Sequence, residues 1–163
     1  MFERGCRPSQ GKYWFKMDDD DFYGPNYLMD MVQLAETTDF HIMGKPPAFI
    51  FLENDGQVYL RGKAHRSQFS IGATHTSHLC GATLGGRRDL FPGFSEEHRA
   101  CVDTGFVENG KAMDRTLLTG DIWNFVAFRA ADKERHTWRH DDEGIAKNAA
   151  PFCKGLQLEK IMI

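Results

Sequence analysis

Phe49-Ile50-Phe51-Leu52, then Glu53-Asn54-Asp55-Gly56-Gln57, then Val58-Tyr59-Leu60, read as two β-strands about a turn. Aromatic and β-branched side chains suit the pleated, half-buried surface of a strand, and Asn-Asp-Gly supplies residues that tolerate the positive φ of a tight turn. Upstream, Gly44-Lys45-Pro46-Pro47 bounds the hairpin, because proline has no N–H to give to a ladder. Earlier still, Leu28, Met31, Val32 and Ala35 fall at i, i+3, i+4 and i+7 behind Pro25 and the capping-type Asn26. That spacing predicts an amphipathic helix over 26–36 with those four residues on its buried face.

Downstream, Phe106-Val107 followed by Glu108-Asn109-Gly110 reads as a second hairpin. Asp121 to Arg129 reads as a strand with Trp123, Phe125 and Ala127 on one face and Ile122, Val126 and Phe128 near the other; apolar on both faces, it belongs at the centre of a sheet. Residues 70–94, rich in Gly, Thr, Ser and His, suit loops and short strands, and Ser95 before Glu96 and Glu97 suits the start of a short helix. The charged stretch 132–149 is expected to be exposed, and 155–163 to dock as a last strand. The expectation is one α+β domain over 1–163: a twisted, mainly antiparallel sheet, one N-terminal amphipathic helix and long Gly/His-rich loops over a cleft.

The chain has 163 residues, 41% hydrophobic and 26% charged, proportions that allow an ordinary core without disulfide staples or a structural metal. Thirteen Phe make that core aromatic-heavy. A net charge of -3 gives no general attraction to phosphate backbones or anionic lipid, so a protein target or a small molecule is the expected partner, with neither nucleic acid nor membrane. No run approaches the ~18 apolar residues of a spanning helix, and Met1 to Cys6 carries no apolar signal core. The expected location is the cytoplasm, or a target cell reached without a signal peptide. The Asp18–Asp21 block reads as a solvated loop, with metal binding as the alternative, and the four cysteines, Cys6, Cys80, Cys101 and Cys153, as free thiols, with two disulfides as the alternative.

Three constellations carry candidate chemistry. Arg61 leaves a strand and is followed by a Ser/His-rich run holding His65, Ser67, Phe69, His75 and Ser77. A guanidinium pairs well with pyrophosphate, hydroxyls orient it, and a carboxylate stabilises a developing oxocarbenium charge. Arg61 with these hydroxyls resembles the arrangement by which ADP-ribosyltransferases hold NAD, although the Glu-x-Glu of that family is replaced here by Asp141-Asp142-Glu143. The resemblance implies Arg61 on the pyrophosphate, Ser67 or Ser77 orienting it, His65 or His75 at the ribose and Phe69 against nicotinamide.

A second resemblance rests on Ala48 to Tyr59, His65-Arg66-Ser67-Gln68-Phe69 and Val107 to Lys111. These are similar to the module with "HHSSF" and "SGHY" signatures in the tails of bacterial polymorphic toxins and in plant calmodulin-binding IQ-motif proteins, which implies an effector-like role. At the second signature the chain reads Thr119-Gly120-Asp121-Ile122. Two further constellations are independent of either family. His75, His78 and Cys80 with His98 and Cys101 offer donors for a tetrahedral zinc, as in a zinc-stabilised interaction domain. Cys80, His98 and Asp103 offer a thiol, base and orienting acid for a Cys/His hydrolase.

Overall fold

In the computed structural model, residues 10–37, 39–61, 79–91, 102–113, 116–132 and 141–163 are described. Among them lie nine strands: β1 (Tyr13–Phe15), β2 (Phe22–Tyr23), β3 (Ile42–Gly44), β4 (Phe49–Leu52), β5 (Gln57–Arg61), β6 (Gly85–Arg87), β7 (Leu117–Thr119), β8 (Phe125–Arg129) and β9 (Ala149–Lys154). Three α-helices accompany them: α1 (Tyr27–Thr37), α2 (Val102–Ala112) and α3 (Asp142–Lys147). The described helices include none long and apolar enough to cross a membrane.

The single sheet expected from the sequence is two mixed sheets. One has the order β1-β6-β3-β7 and the other β2-β8-β4-β5-β9. Most pairings are antiparallel, but β3 runs parallel to β7 and β4 parallel to β8. The cause is connectivity. Three strands of the first sheet continue directly into strands of the second, β1 into β2, β3 into β4 and β7 into β8, across residues 16–21, 45–48 and 120–124. Two of these crossovers run side by side, so the parallel pair β3/β7 passes on to become the parallel pair β4/β8.

The β4–β5 hairpin forms where the sequence places it, with Phe49 opposite Leu60 and Leu52 opposite Gln57. Gly56 takes φ 62° in its turn, and the Asp55 carboxylate accepts the Gln57 N–H. Alternation along β4 sorts its side chains between two cores. Phe49 packs with Val58, Val126, Cys153 and Ile161, whereas Ile50 and Leu52 pack with Ile145 of α3. Of the strand expected over 121–129, β8 takes 125–129, between β2 and β4 as its two apolar faces require, and 121–124 belong to the crossover before it.

Helix α1 lies over the junction of the sheets, packing Tyr27, Met31 and Ala35 against Met43 of β3, Leu118 of β7 and Phe125 of β8. Its buried face is rotated from the one the spacing suggests: Leu28 and Val32 are exposed, as is Met29. Tyr27 sets the rotation, because its ring meets Tyr23 edge-on at 4.9 Å and its hydroxyl reaches the Thr83 carbonyl at 3.5 Å.

The expected hairpin at 106–110 is the middle of α2. Phe106 and Val107 are buried with Trp14, Ile42, Leu84 and Leu117, while Glu108 and Asn109 face solvent. Gly110 is there for closeness rather than for a turn, since a Cβ at this position would fall 2.6 Å from the Ile42 side chain. The last strand is β9 rather than 155–163. The final residues instead turn through a 3-10 segment at Leu158–Lys160 and bury Ile161 against the second sheet. The stretch expected to be exposed, 132–149, contains α3, whose Ile145 is buried and whose Asp142 pairs with buried Arg129 at 2.7 Å.

Asn124 ends the β7–β8 crossover at φ 61°, and its side-chain amide donates to Asp30 of α1 at 2.7 Å. Replacing Asn124 by Ala keeps the left-handed backbone under a Cβ and leaves Asp30 without this donor, a loss of about 2–3 kcal/mol. Asn124→Gly removes the backbone penalty and should lose only about 1–2 kcal/mol. Urea unfolding midpoints of the two variants against the parent measure the difference, and equal losses would contradict the strained-backbone account.

Candidate functional site

The polar groups of the interior gather where the strands cross between sheets. Lys45, the first residue of the β3–β4 crossover, is 1% exposed, and its Nζ donates to Asp121 Oδ1 on the β7–β8 crossover at 2.7 Å. Asp121 Oδ1 also accepts the Trp123 N–H at 2.7 Å. The Lys45 backbone is used as fully. Its N–H donates to the Thr83 hydroxyl at 2.9 Å, and its carbonyl accepts the Cys80 N–H at 2.8 Å. One residue before it, the Gly44 carbonyl accepts the Gly120 N–H at 2.8 Å, tying the neighbouring crossovers together by backbone as well.

The β1–β2 crossover carries the acidic block. Lys16 is buried, with its Nζ 2.5 Å from Asp18 and 3.7 Å from Asp103 of α2. Asp21 is partly buried, its Oδ1 accepting the Phe128 N–H of β8 at 2.8 Å. Burial pushes its carboxyl up to about 7, with Asp20 and Asp18 adding to the rise and the Phe128 N–H and Lys16 opposing it. Burial raises Asp103 as well, against the pull of Lys16. Tyr23 closes the group, its hydroxyl accepting the Asp18 N–H and donating to the Ala82 carbonyl, both at 2.8 Å. The block is therefore a solvated loop only in part: Asp19 and Asp20 are exposed, Asp18 and Asp21 are not.

Carboxylate oxygens of Asp18, Asp20 and Asp21 lie within 4.8 Å of one another, the described grouping that could hold a metal. An all-oxygen set suits a hard cation such as calcium or magnesium rather than zinc. The zinc donors expected from the sequence, apart from Cys80, lie outside the described residues, as do His65, Ser67, Phe69, His75, Ser77 and His98.

Arg61 is described. It ends β5 half-exposed, opposite Ala149 of β9, with its N–H donated to the Ala48 carbonyl at 2.9 Å. The segment that begins after Arg61 and ends before Leu79 thus has both flanks fixed on one crossover, at Ala48 on one side and, through Cys80, at Lys45 on the other.

Cys80 does not have the setting of a nucleophile. It keeps some surface, but it packs against the core around Tyr27, Met43 and Ala82, and burial pushes its thiol up to about 12. A reactive cysteine needs the opposite shift. Asp103 does stand near, against Gly81, where any Cβ would collide with its carboxylate. Its carboxylate lies 3.7 Å from the Lys16 ammonium, while His98 lies outside the described residues. A groove of about 440 Å³ lies at the far end of β4, among Leu52, Asn54, Asp55, Asp141, Asp142 and Glu143. Three of its four carboxylates serve the fold: Asp142 holds Arg129 and Asn54, Asp141 caps α3 through the Gly144 N–H, and Asp55 accepts from Tyr59.

Lys45 and Asp121 are not among the residues the sequence singles out, and Asp21 enters there only as part of the acidic block. A signal existed for two of them. Lys45 stands alone between Ile42-Met43-Gly44 and Pro46-Pro47-Ala48-Phe49, and Asp21 directly precedes Phe22-Tyr23. No family model matches the chain, and neither a curated protein nor a solved structure matches it.

Asp21 makes stability depend on pH near neutrality. Its folded-state pKa lies above that of the unfolded chain, so its contribution is full below about pH 4 and is lost as pH rises through 7. The loss amounts to about 2–4 kcal/mol at pH 8.5. Asp21→Asn retains an oxygen for Phe128 N–H and should flatten this part of the profile, as read from urea midpoints between pH 4.5 and 8.5. Cys80 gives a separate check: in native protein it should react with iodoacetamide no faster than the protein unfolds, so rapid native alkylation would restore the hydrolase reading.

Proposed function

We propose that the chain is an effector-like transferase that consumes NAD and passes ADP-ribose to a macromolecular target. Arg61 pairs with the pyrophosphate, Ser67 or Ser77 orients it, His65 or His75 meets the nicotinamide ribose, and Phe69 packs on the nicotinamide ring. The observation that supports this reading is the anchoring of Arg61 and Cys80 on a single crossover. It brings the strand-end arginine close in the fold to the far flank of the segment that carries the hydroxyls and imidazoles. A guanidinium held at a strand end, with its backbone already bonded, loses little further freedom on pairing with a diphosphate.

The reaction asks the protein to orient the dinucleotide and stabilise positive charge at the ribose while nicotinamide leaves. Asp18 on the β1–β2 crossover, with Asp21 where it ionises, supplies negative potential in a chain without a Glu-x-Glu. Their field reaches Cys80, whose thiol they help to raise. The Cys80 hydrolase is not retained beside this reading, because a desolvated thiol is a poor nucleophile.

Calorimetric titration with NAD and an assay of released nicotinamide, with a cell lysate as acceptor, test the proposal. Arg61→Ala should weaken NAD binding by about 10- to 100-fold, the worth of a charge-assisted hydrogen bond. Parent protein that neither binds NAD nor releases nicotinamide would end it.

A further inference from the structure

We infer that Lys45 and Asp121 are a positioning pair, whose ion pair sets the β3–β4 crossover and through it the places of Arg61 and Cys80. The link to catalysis rests on the NAD reading above; the positioning itself does not.

Residues 45–48 bear more than a connection needs. The Lys45 carbonyl receives Cys80 and the Ala48 carbonyl receives Arg61, so a shift of this short stretch moves both. Two ties hold it to the β7–β8 crossover: the backbone bond from Gly120 to Gly44, and the Lys45–Asp121 pair. The first is a single backbone bond on the line of the ladder. The second reaches off that line by the length of a lysine side chain and so adds a second point of attachment between the crossovers. Tyr27 of α1 completes the enclosure, with the ammonium 5.8 Å from the centre of its ring.

A pair that only added stability would affect the whole ladder equally. A positioning pair affects its dependants first. Lys45→Met keeps volume and removes the charge, and Asp121→Asn keeps the acceptor for Trp123 while weakening the pair; together they guard against either variant failing to fold. Amide hydrogen exchange is read at Arg61 and Cys80 and, as an internal reference, along the β4–β8 ladder. Each folded variant should show exchange at both positions at least about tenfold faster relative to the ladder. No change at Arg61 and Cys80, or a rise shared evenly by β4 and β8, overturns the inference.

The catalytic arm uses NAD itself. In Lys45→Met the KM for NAD should rise about tenfold with the rate at saturation retained, since the residue touches no substrate. A fall in the saturated rate with KM unchanged counts against positioning. If the parent protein does not bind NAD, the proposed function fails while the exchange result still decides the inference.

Discussion

Lys45 gives up nearly all of its hydration when β3 hands over to β4, and Asp121, 2.7 Å away, is what makes that tolerable. An ammonium moved out of water costs several kcal/mol even after the protein relaxes, and a carboxylate offsets this only with good geometry and its remaining lone pairs in use. Asp121 meets both conditions, since it also accepts the Trp123 N–H and keeps part of its surface in solvent. Such a pair adds little to stability over a well-packed apolar substitute. What it specifies is register: the two crossovers can lie together in one arrangement only.

The aromatic content follows from the same junction. Where strands leave one sheet for another, the gap between layers is wide and irregular, and large rings fill it. Tyr23 and Tyr27 meet edge-on there, Tyr23 also leans on Phe125 at a tilt, and on the α2 side Trp14 meets Phe91 and Phe106 edge-on. Tyrosine suits the site better than phenylalanine because backbone groups at a crossover lack ladder partners. The Tyr23 hydroxyl satisfies one N–H and one carbonyl that β1 and the turn at Gly81–Thr83 leave open.

Local chemistry made the β4–β5 hairpin and β8 legible in the sequence, because alternation and turn residues act within a few positions. Helix α1 was legible in place but not in rotation: Leu28 and Val32 fit the apolar spacing as well as Tyr27 does, and only the ring contacts across the junction choose between them. Asn109-Gly110 misled because glycine serves two ends, a turn or a close approach, and the Ile42 side chain that demands the second is 68 residues away in the chain. The division into two sheets was hidden for a related reason, since the three crossovers carry no signal beyond short polar or Pro-containing breaks. For the site, Arg61 was visible as a strand-end cation. Lys45 was marked only by standing alone in an apolar, proline-bounded run, and Asp121 not at all, because it looks like an ordinary surface charge until its pairing with Lys45 is seen.

The side-by-side crossovers also govern the order in which the chain can be completed. Lys45 and Asp121 are 76 positions apart, and β3 and β4 each take one neighbour, β7 and β8, from the same late part of the sequence. A nascent chain that has reached α2 therefore already holds the hairpin, yet both sheets still show a bare edge of unpaired N–H and carbonyl groups flanked by Ile42, Ile50 and Phe51. Pairings this distant in sequence form slowly, and open apolar edges recruit other chains. During synthesis, the interval before residues 117–129 leave the ribosome is one in which these two edges stand open to other chains.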